Sequence, residues 1–501
     1  MEAIKVVPAA VSQVQVHVDP EQIERWVEQS RSPTGFRDAE LQIAAVCRAE
    51  ADRITEQVLR RVASAPDFQA EATLATRQNL RGSRAKSGGP RTVEVMLLGG
   101  SRIRLRTPYY KPSQAKLSPR QQSRKKPHRG EGGAGLYPVL TALGIAFGVT
   151  PAVAGEVVRQ ITDSDSIDAG RTALARWGLN LTHPRARALV NHFSHRSLEQ
   201  RSAALEAARQ QPRQAGPLKG KREVIATDGG RLRLRKTKPG RRRQSGHHGY
   251  DAPWVEPKLL VIYVVNAEGQ REATFTPVLD GTLGDADALA SMALGYLKAL
   301  GAQEAAQLIV LGDGAEWIWN RAREWVAALG LAPERVREIV DWGHAAKMLY
   351  TIADEQPEWK DLTRGQWVKK AKALLHAGRI EALVEWIERL AVGRDAEALP
   401  KHVAYFQHNA HRLQYAAARR DKVPIGSGAV ESAVRRVVNL RLKSNGIFWH
   451  ELNAEGLLML RAYLKAGRFE ELIRNTLRLA SPLHSEKCSP TAGLASLRPA
   501  A

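Results

Sequence analysis

The feature that most constrains the fold of this chain is a short apolar run that leads to a single acid. Residues 308–311 are an unbroken apolar stretch, which is typical of a strand covered on both faces of a sheet. Gly312 and Gly314 flank Asp313, and a tryptophan-rich helix is predicted behind them. Sites in α/β sheets lie at such carboxyl ends of strands. Asp313 is therefore a candidate site residue, or it only caps the helix.

Two more predicted strands end in an acid in the same way. Residues 223–227 lead to Asp228 and a Gly-Gly turn, and residues 336–340 lead to Asp341. His344 follows Asp341 three positions later. Each of these acids thus has a setting comparable to that of Asp313.

The order of predicted elements from 223 to 344 indicates an α/β fold. It is three strands (the third at 271–278), a helix capped by Asp285, a strand, a helix and a strand. This is the order of a ribonuclease-H-like core, in which the first and fourth strands are neighbours. The fold analogy therefore predicts that Asp228 and Asp313 face each other.

A glutamate is the last candidate acid. Segment 424–432 reads Pro-Ile-Gly-Ser-Gly-Ala-Val-Glu-Ser, and its glycines form a loop that opens a helix. Glu431 lies in the first turn, where the helix dipole favours an anion. Alternatively, Glu431 only pairs with Arg435. Residues 345–420 are predicted to be helical throughout.

The charge of the chain indicates a polyanionic partner. There are 75 Lys and Arg against 52 acids, a net charge of +23, which favours nucleic acid over the alternative of a basic, ribosome-associated enzyme. Cys47 and Cys488 match no metal or disulfide pattern, which fits a reducing cytoplasm. No apolar run approaches the ~20 residues of a membrane span. The sequence contains no GxxxxGK motif, so no ATP use is expected.

Several basic segments are candidate DNA contacts. Residues 91–106 predict a β-hairpin, with three arginines on one face that form either a phosphate track or a solvated surface. A basic linker and a run at 231–243 with eight basic residues and no acid follow. Helices within 135–205 permit a helix-turn-helix reading, although small three-helix units are common. The candidate contacts are Arg102, Arg104, Arg106, Arg124, Lys125, Lys126, Arg241, Arg242, Arg243, Arg435, Arg441 and Lys443.

Two aspartates and a glutamate that converge would form a hard, all-oxygen site. Such a site suits Mg²⁺ or Mn²⁺. Two ions about 3.5–4 Å apart can activate an attacking water or 3′-hydroxyl and stabilise the leaving oxygen. Trp317, Trp319, Trp325 and Trp449 could stack on flipped bases, but tryptophans at helical spacing are more often core residues.

Four motifs follow one another in the chain: Asp228-Gly-Gly, residues 311–319, Asp341-Trp-Gly-His344 and segment 424–432. In these motifs and their order, the chain resembles the DDE transposases of bacterial insertion sequences, most closely the ISKra-type group. The resemblance covers about residues 91–477 and extends to Asn409, Arg412 and Tyr415. It implies that Asp228, Asp313 and Glu431 are the catalytic, metal-binding triad. It also implies that Asp341 and His344 either support this triad or contact DNA. Some related groups carry a cysteine cluster that this chain lacks, so no structural zinc is expected.

The predicted organisation is a ribonuclease-H-like core that an all-helical insertion interrupts and that helical and hairpin DNA-binding segments precede. The segments are a helical region (1–80), a hairpin and basic linker (81–130), a helical domain with a possible helix-turn-helix (131–216), the first part of the core (217–344), the helical insertion (345–420), the closing helices with Glu431 (421–480) and a disordered tail (481–501).

The predicted function is DNA transposition: binding of terminal inverted repeats, metal-dependent cleavage and strand transfer to target DNA. We expect two Mg²⁺ or Mn²⁺ ions, a homodimer or higher oligomer on DNA, no ATP, no membrane, and a bacterial, nucleoid-associated location in the cytoplasm. The alternatives are a structure-specific endonuclease of the same fold and a catalytically inactive DNA-binding derivative.

Overall fold

A computed structural model describes residues 18–79, 85–112, 136–212, 215–238, 240, 248–356, 358–391, 399–444 and 446–480. Two compact units are present. The described residues up to Gln160, with Ile167–Leu189, form the first, and the described residues of Ile161–Ser166 and Val190–Leu479 form the second. The boundary between the units falls within the helical segment predicted at 131–216.

The described part of the first unit consists of helices and a β-hairpin. Its elements are α1 (Pro20–Gln29), α2 (Pro33–Ser64), α3 (Pro66–Asn79), β1 (Ala85–Met96), β2 (Arg102–Pro112), α4 (Pro138–Ala142), α5 (Pro151–Asp163), whose end passes into the second unit, and α6 (Ile167–Ala175). Five of the six described helices begin with proline, at the position where the missing N–H is not needed.

The hairpin is confirmed, and a buried acid fixes its turn. Strands β1 and β2 pair antiparallel, and Gly100 in the turn has a φ of +99°. Asp52 on α2 is 3% exposed and accepts hydrogen bonds from the Gly99 amide at 2.8 Å and the Ser101 amide at 2.9 Å. A side chain on Gly99 would strike this carboxylate. Because Asp52 is distant in sequence, local patterns did not reveal its role.

The second unit is built around a mixed five-stranded sheet. After helix α7 (His183–Gln210), which begins in the first unit, its strands are β3 (Arg222–Gly229), β4 (Leu232–Arg233), β5 (Lys236–Thr237), β6 (Tyr250–Asp251), β7 (Trp254–Val255), β8 (Lys258–Val265), β9 (Val278–Thr282), β10 (Gln307–Gly312) and β11 (Val336–Val340). The main sheet has the order β9-β8-β3-β10-β11, while β4 pairs with β7 and β5 with β6. Strand β8 is antiparallel to both of its neighbours, and β3, β10 and β11 are parallel.

This topology confirms an α/β architecture and the predicted adjacency of the strands that precede Asp228 and Asp313. The predicted third strand was wrong in its position: 271–278 was expected, but β9 runs over Val278–Thr282. Arg271 only bridges to Val265, and the chain then turns. Pro277 has no N–H to donate to a ladder, so the strand begins after it.

Helices complete the second unit. They are α8 (Ala286–Ala299), α9 (Glu316–Leu329), α10 (Trp342–Asp354), α11 (Asp361–His376), α12 (Ile380–Glu388), α13 (Leu399–His408), α14 (Tyr415–Arg420), α15 (Gly428–Val434), α16 (Glu451–Lys465) and α17 (Phe469–Ala480). Asp285 caps α8 as predicted, accepting from the Ala288 amide at 2.9 Å. Every described element between β11 and α15 is helical, in line with the predicted insertion.

Apolar residues fill the space between sheet and helices. The side chains from Leu259 to Val265 are all buried, and helices α8 and α15 pack against this strand. A covered strand needs no polar face, which explains the unbroken apolar runs in the sequence.

Buried ionisable side chains lie in this core. Arg201 binds Asp280 at 2.8 Å and Glu455 at 3.2 Å, and the Tyr296 hydroxyl donates to Asp280 at 2.7 Å. Glu223 on β3 is fully buried, and within the described residues neither of its carboxylate oxygens has a hydrogen-bond partner. Burial raises the pKa of Glu223 to about 8, against a smaller opposing effect of Arg335.

Candidate active site

Three aspartates lie side by side at the carboxyl edge of the sheet. The register sets Leu311 opposite Ala226 and Gly312 opposite Val340. Continued to the strand ends, the same register sets Asp313 level with both Asp228 and Asp341. Neighbouring strands are about 4.8 Å apart, so the three acids are consecutive neighbours on one edge.

Asp341 joins the end of β11 to the loop that precedes α15. Asp341 as a whole is 1% exposed. One carboxylate oxygen accepts a hydrogen bond from the Ser427 amide, and the other accepts from the His344 amide at 2.8 Å and meets His344 Nδ1 at 3.0 Å. The Asp341 amide itself donates to the Gly312 carbonyl at 2.7 Å. Asp341 is thus fully engaged within the protein.

Glu431 reaches this edge from the first turn of α15. The helix packs against β3 and β8, and Glu431 is exposed. Its Oε1 lies 3.4 Å from the Ser427 hydroxyl. Ligand atoms of Glu431, Asp341 and His344 all lie within 4.8 Å of one another. The contact between Asp341 and Ser427 therefore brings Glu431 to the aspartates.

His344 is held as a hydrogen-bond partner of Asp341. That bond raises the pKa of His344, burial opposes it, and the negative charges of Asp341, Asp228 and Asp313 raise it further. Burial would raise the pKa of Asp341, but hydrogen bonds from His344 and Ser427 outweigh it and hold the pKa below its usual value. The two residues behave as a charge-assisted pair.

Asp228 lies in an environment that disfavours its ionised form. Burial raises its pKa, and the negative charges of Asp313 and Glu431 add to that effect. The amide of Gly229, which donates to Asp228 at 2.7 Å, and the charge of His344 act in the opposite direction. The three acids therefore share one electrostatic environment, in which a cation would relieve their repulsion.

Asp313 lies in a tight turn that a residue of the helical segment covers. Its carboxylate accepts from the Ala315 amide at 2.9 Å. The helix that follows begins at Glu316 with Ala315 as its N-cap and has no side-chain cap bond, so Asp313 shapes the turn and does not cap the helix. Gly314 has a φ of +97°, and a side chain there would strike the ring of Tyr405. The Tyr405 hydroxyl donates to the Asp313 carbonyl at 3.2 Å. No local pattern in the sequence indicates Tyr405.

A cavity of about 340 Å³ opens beside two of the acids. Asp228 and Asp313 line it, together with the cationic side chains of Arg231, Lys258 and Lys443. Its remaining lining residues are Thr227, Gly229, Gly230, Glu256, Trp317, Ile318, Val434 and Asn439. Acids beside cations suit an anionic substrate that is bound together with metal ions.

The donor chemistry of the site fits a divalent cation. Asp228, Asp313 and Glu431 offer carboxylate oxygens, the ligands that Mg²⁺ and Mn²⁺ favour. Among the described residues, however, the group whose possible ligand atoms all lie within 4.8 Å of one another is Asp341, His344 and Glu431, and it does not include Asp228 or Asp313. Because the carboxylate of Asp341 is already occupied by Ser427 and His344, Asp341 fits a supporting role and Glu431 remains available.

Comparison of the chain with protein-family profiles, curated proteins and solved structures gave no match. Among the described residues, no helix combines the length and the apolar character that crossing a bilayer requires.

The predicted DNA contacts have different settings. Arg102, Arg104 and Arg106 are exposed on one face of β2, and Arg102 pairs with Glu94 at 2.9 Å. Arg435 is exposed, and Lys443 lines the cavity. Arg124, Lys125, Lys126, Arg241, Arg242 and Arg243 lie outside the described residues.

Arg441 differs from the other predicted contacts because it is only 7% exposed. Its guanidinium lies 5.3 Å from the centroid of the Trp449 ring, and burial lowers its pKa. It packs inside the protein and leaves little surface for a DNA backbone. The apolar periodicity around it gave no sign of this burial.

Most of the candidate stacking tryptophans are structural. Trp319 and Trp325 are 1% and 2% exposed, and the Trp449 indole N–H donates to the Leu442 carbonyl at 2.9 Å. Only Trp317 borders the cavity.

The three residues that extend the resemblance upstream of Glu431 are also buried. The Tyr415 hydroxyl donates to the Val340 carbonyl at 2.8 Å, and Arg412 binds Glu338 on β11 at 2.6 Å. Asn409 meets Arg412 at 3.3 Å. These residues attach the helical segment to β11 rather than take part in chemistry.

Proposed function

We propose that this protein is a DDE transposase that binds transposon ends, cleaves DNA and transfers the freed strand to target DNA. The observation that carries the proposal is the level placement of Asp228 and Asp313 on neighbouring parallel strands, with Glu431 brought to the same edge by α15. Acids from two strand ends and one helix are the set that the resemblance implies for this chemistry.

The strand order supports the same reading. In chain order, the main strands of the second unit occupy the sheet as third, second, first, fourth and fifth, with the second antiparallel to the rest. This order and direction of strands support the proposal of a ribonuclease-H-like core. A helical segment then separates the second aspartate from the glutamate, in the place where the resemblance implies an insertion.

Asp228, Asp313 and Glu431 would hold two Mg²⁺ or Mn²⁺ ions. When bound, such ions activate an attacking water or 3′-hydroxyl and stabilise the leaving oxygen of a phosphodiester. Asp341 holds the Ser427 loop, and through it Glu431, in place. Arg231, Lys258 and Lys443 offer positive charge to the phosphate backbone in the same cavity.

The charge of the chain supports DNA as the substrate. A net charge of +23 and the exposed arginine face of β2 suit contacts with phosphates, which fix register without reading sequence. The partners are double-stranded transposon ends and target DNA. Pairing of two ends implies a homodimer or higher oligomer on DNA, and no ATP is needed.

Strand transfer by the purified full chain tests the proposal. The substrate is a labelled duplex from the DNA that flanks the gene, mixed with a supercoiled target plasmid and Mg²⁺ or Mn²⁺. We expect joined products from the wild type and none from Asp313→Asn, which should still bind DNA. Asp285→Asn is the matched control, because it alters an aspartate that only caps α8.

Two outcomes would overturn the proposal. Metal-dependent cleavage without joining would assign the site to a structure-specific endonuclease. DNA binding without any reaction in either metal would indicate an inactive derivative.

A further inference from the structure

An exposed cluster of aromatic and arginine side chains lies on the small ribbons that follow β3. We call it the aromatic–arginine ribbon and define it as Arg233, Arg235, Tyr250, Trp254 and Phe448. Arg233 lies 4.4 Å from the ring centroid of Trp254, and Arg235 lies 4.4 Å from that of Tyr250. The rings of Tyr250 and Phe448 are 5.5 Å apart. Arg233 also lies 5.9 Å from the ring centroid of Phe448, so the five side chains form one continuous surface.

The two outer rings of this surface are open to solvent. Trp254 is 50% exposed and Tyr250 is 37% exposed. An exposed aromatic ring with an arginine beside it offers both a flat apolar face and a positive charge. Such a combination suits a planar, negatively charged partner.

The backbone beneath the surface is firmly held. Leu232 and Leu234 are buried, so the alternation of the strand turns Arg233 and Arg235 to the outside. The Arg235 amide donates to the Trp449 carbonyl at 2.7 Å, and the Trp449 amide donates to the Arg233 carbonyl at 3.0 Å. These bonds hold the backbone of Arg233 and Arg235, and the strand pairs set Trp254 opposite Arg233 and Tyr250 opposite Thr237.

The charge of the surrounding residues is strongly positive. Within 231–238 and 248–258, the described cations are Arg231, Arg233, Arg235, Lys236, Lys238 and Lys258, and the described acids are Asp251 and Glu256. Asp251 is already paired with Lys238 at 2.8 Å. The net excess of positive charge favours binding of a phosphate backbone over binding of an uncharged or apolar partner.

The ribbons join directly to the cavity that holds the acids. Arg231 lines the cavity and immediately precedes β4, while Glu256 lines it and immediately follows β7. Lys258, another lining residue, begins β8. A nucleic-acid strand that lies on the ribbon would therefore continue into the cavity beside Asp228 and Asp313.

We propose that the aromatic–arginine ribbon binds single-stranded nucleic acid, with unpaired bases stacked on Trp254 and Tyr250 and the backbone led into the cavity of the acids. A duplex keeps its base faces stacked inside and offers no ring to these side chains, whereas an unpaired strand offers one at every nucleotide. That this strand is the one that reacts rests on the function proposed above.

The test measures binding alone, in EDTA, so that no reaction occurs. A fluorescein-labelled 20-nucleotide oligo-dT and a labelled 20-base-pair duplex are titrated with the full chain. For each of Trp254→Ala and Tyr250→Ala, we expect oligo-dT to bind roughly fivefold to a hundredfold more weakly, while duplex affinity changes less than about twofold. Trp254→Phe keeps a stacking face and should retain most of the affinity.

Trp177 provides a matched control. It is also exposed, at 58%, and Arg48 lies 5.6 Å from its ring, but it belongs to the first unit. Trp177→Ala should leave oligo-dT binding unchanged. Far-ultraviolet circular dichroism and thermal unfolding of each variant exclude loss of folding as the cause.

The proposal is overturned if Trp254→Ala folds and binds oligo-dT like the wild type, or if it loses single-stranded and duplex binding equally. Its failure is distinguishable from failure of the proposed function. Oligo-dT binding that depends on Trp254 in a protein without strand transfer supports the ribbon and removes the transposase. If Trp254→Ala still carries out strand transfer and binds oligo-dT like the wild type, the transposase is supported and the role of the ribbon is removed.

Discussion

The carboxylate of Asp341 accepts a hydrogen bond from the backbone amide of Ser427, 86 positions further along the chain. Asp341 immediately follows β11, and Ser427 immediately precedes the helix of Glu431. The position of Glu431 thus depends on Asp341, a residue whose carboxylate is engaged by hydrogen bonds within the protein.

Asp341→Asn should weaken metal-dependent activity by about 10–100-fold, because it removes a charge that orients a neighbouring ligand. An amide cannot accept at both positions from Ser427 and His344, so the loop before Glu431 loses a fixed point. Activity as a function of Mg²⁺ concentration gives the measurement, and the half-saturating concentration should rise. Unchanged Mg²⁺ dependence in a folded variant would contradict the role given to Asp341.

Asp228→Asn should stabilise the metal-free protein while it abolishes the reaction. Burial and neighbouring acids raise the pKa of Asp228. Such a group contributes stability below its unfolded pKa, near 4, and loses it as the pH rises through the folded pKa. At pH 7.5 the ionised acid is therefore destabilising, and neutralising it raises Tm in EDTA.

Adding Mg²⁺ should raise the Tm of the wild type and have a smaller effect on Asp228→Asn, since fewer ligands remain. Thermal unfolding with EDTA and with Mg²⁺ checks both expectations. Asp285→Asn should respond to Mg²⁺ like the wild type. A lower Tm of Asp228→Asn in EDTA would show that repulsion among the acids is not the dominant effect.

Glu223 should make folding stability depend on pH in a defined window. Its pKa is raised from 4.5 to about 8 in the folded state. Its contribution is fully present below pH 4.5 and is lost as the pH rises towards about 8, above which it is constant. The total change is on the order of a few kcal/mol.

Urea unfolding of the wild type and Glu223→Gln at pH 5, 6, 7, 8 and 9 isolates this contribution, because the amide does not ionise. The stability of the wild type relative to Glu223→Gln should fall between pH 5 and 8 and then level off. A difference that is the same at every pH would show that Glu223 does not titrate in the folded protein.

Arg201→Ala should destabilise the second unit by about 3–5 kcal/mol, because it leaves Asp280 and Glu455 without their buried partner. Arg321→Ala is the control: Arg321 pairs with Asp287 and Glu324 at the surface, where an ion pair contributes about 1 kcal/mol or less. Denaturant unfolding measures both. Equal losses of unfolding free energy in the two variants would mean that removing a buried arginine partner costs no more than removing an exposed one.

Replacement of Arg104 and Arg106 by alanine should lower the salt dependence of duplex binding. Each phosphate contact that is lost reduces the slope of log K against log salt by about 0.9. Arg60→Ala, which breaks an exposed pair with Glu56 on α2, should leave the slope unchanged. An unchanged slope for the Arg104 and Arg106 variants would favour the alternative of a merely solvated face.

Local patterns predicted the parts of the site that depend on single elements. The apolar runs before Asp228, Asp313 and Asp341 located strand ends, since covered strands must be apolar. The β-hairpin and the cap at Asp285 were also predicted from local sequence patterns. The adjacency of Asp228 and Asp313 needed a fold analogy, and the sheet order confirmed it.

Contacts between distant segments could not be predicted. The bond between Asp341 and Ser427 and the cover that Tyr405 provides over Asp313 depend on how the helical segment folds back. The ribbons of two-residue strands are too short to show periodicity, so the sequence indicated only a basic run at residues 231–243. Arg441 resembled an exposed cation because charge alone does not reveal burial.

The Trp342 amide also donates to the Ile425 carbonyl at 2.8 Å, so the helical segment from α10 to α14 leaves the sheet and returns to it at nearly the same point. A segment whose two ends meet can change in length without altering the distance between its flanking residues. Evolution or a protein engineer can therefore remodel the far end of this segment as an exchangeable module. The residues to preserve are those that bond to β11 or to the turn at Asp313, namely Tyr405, Arg412 and Tyr415.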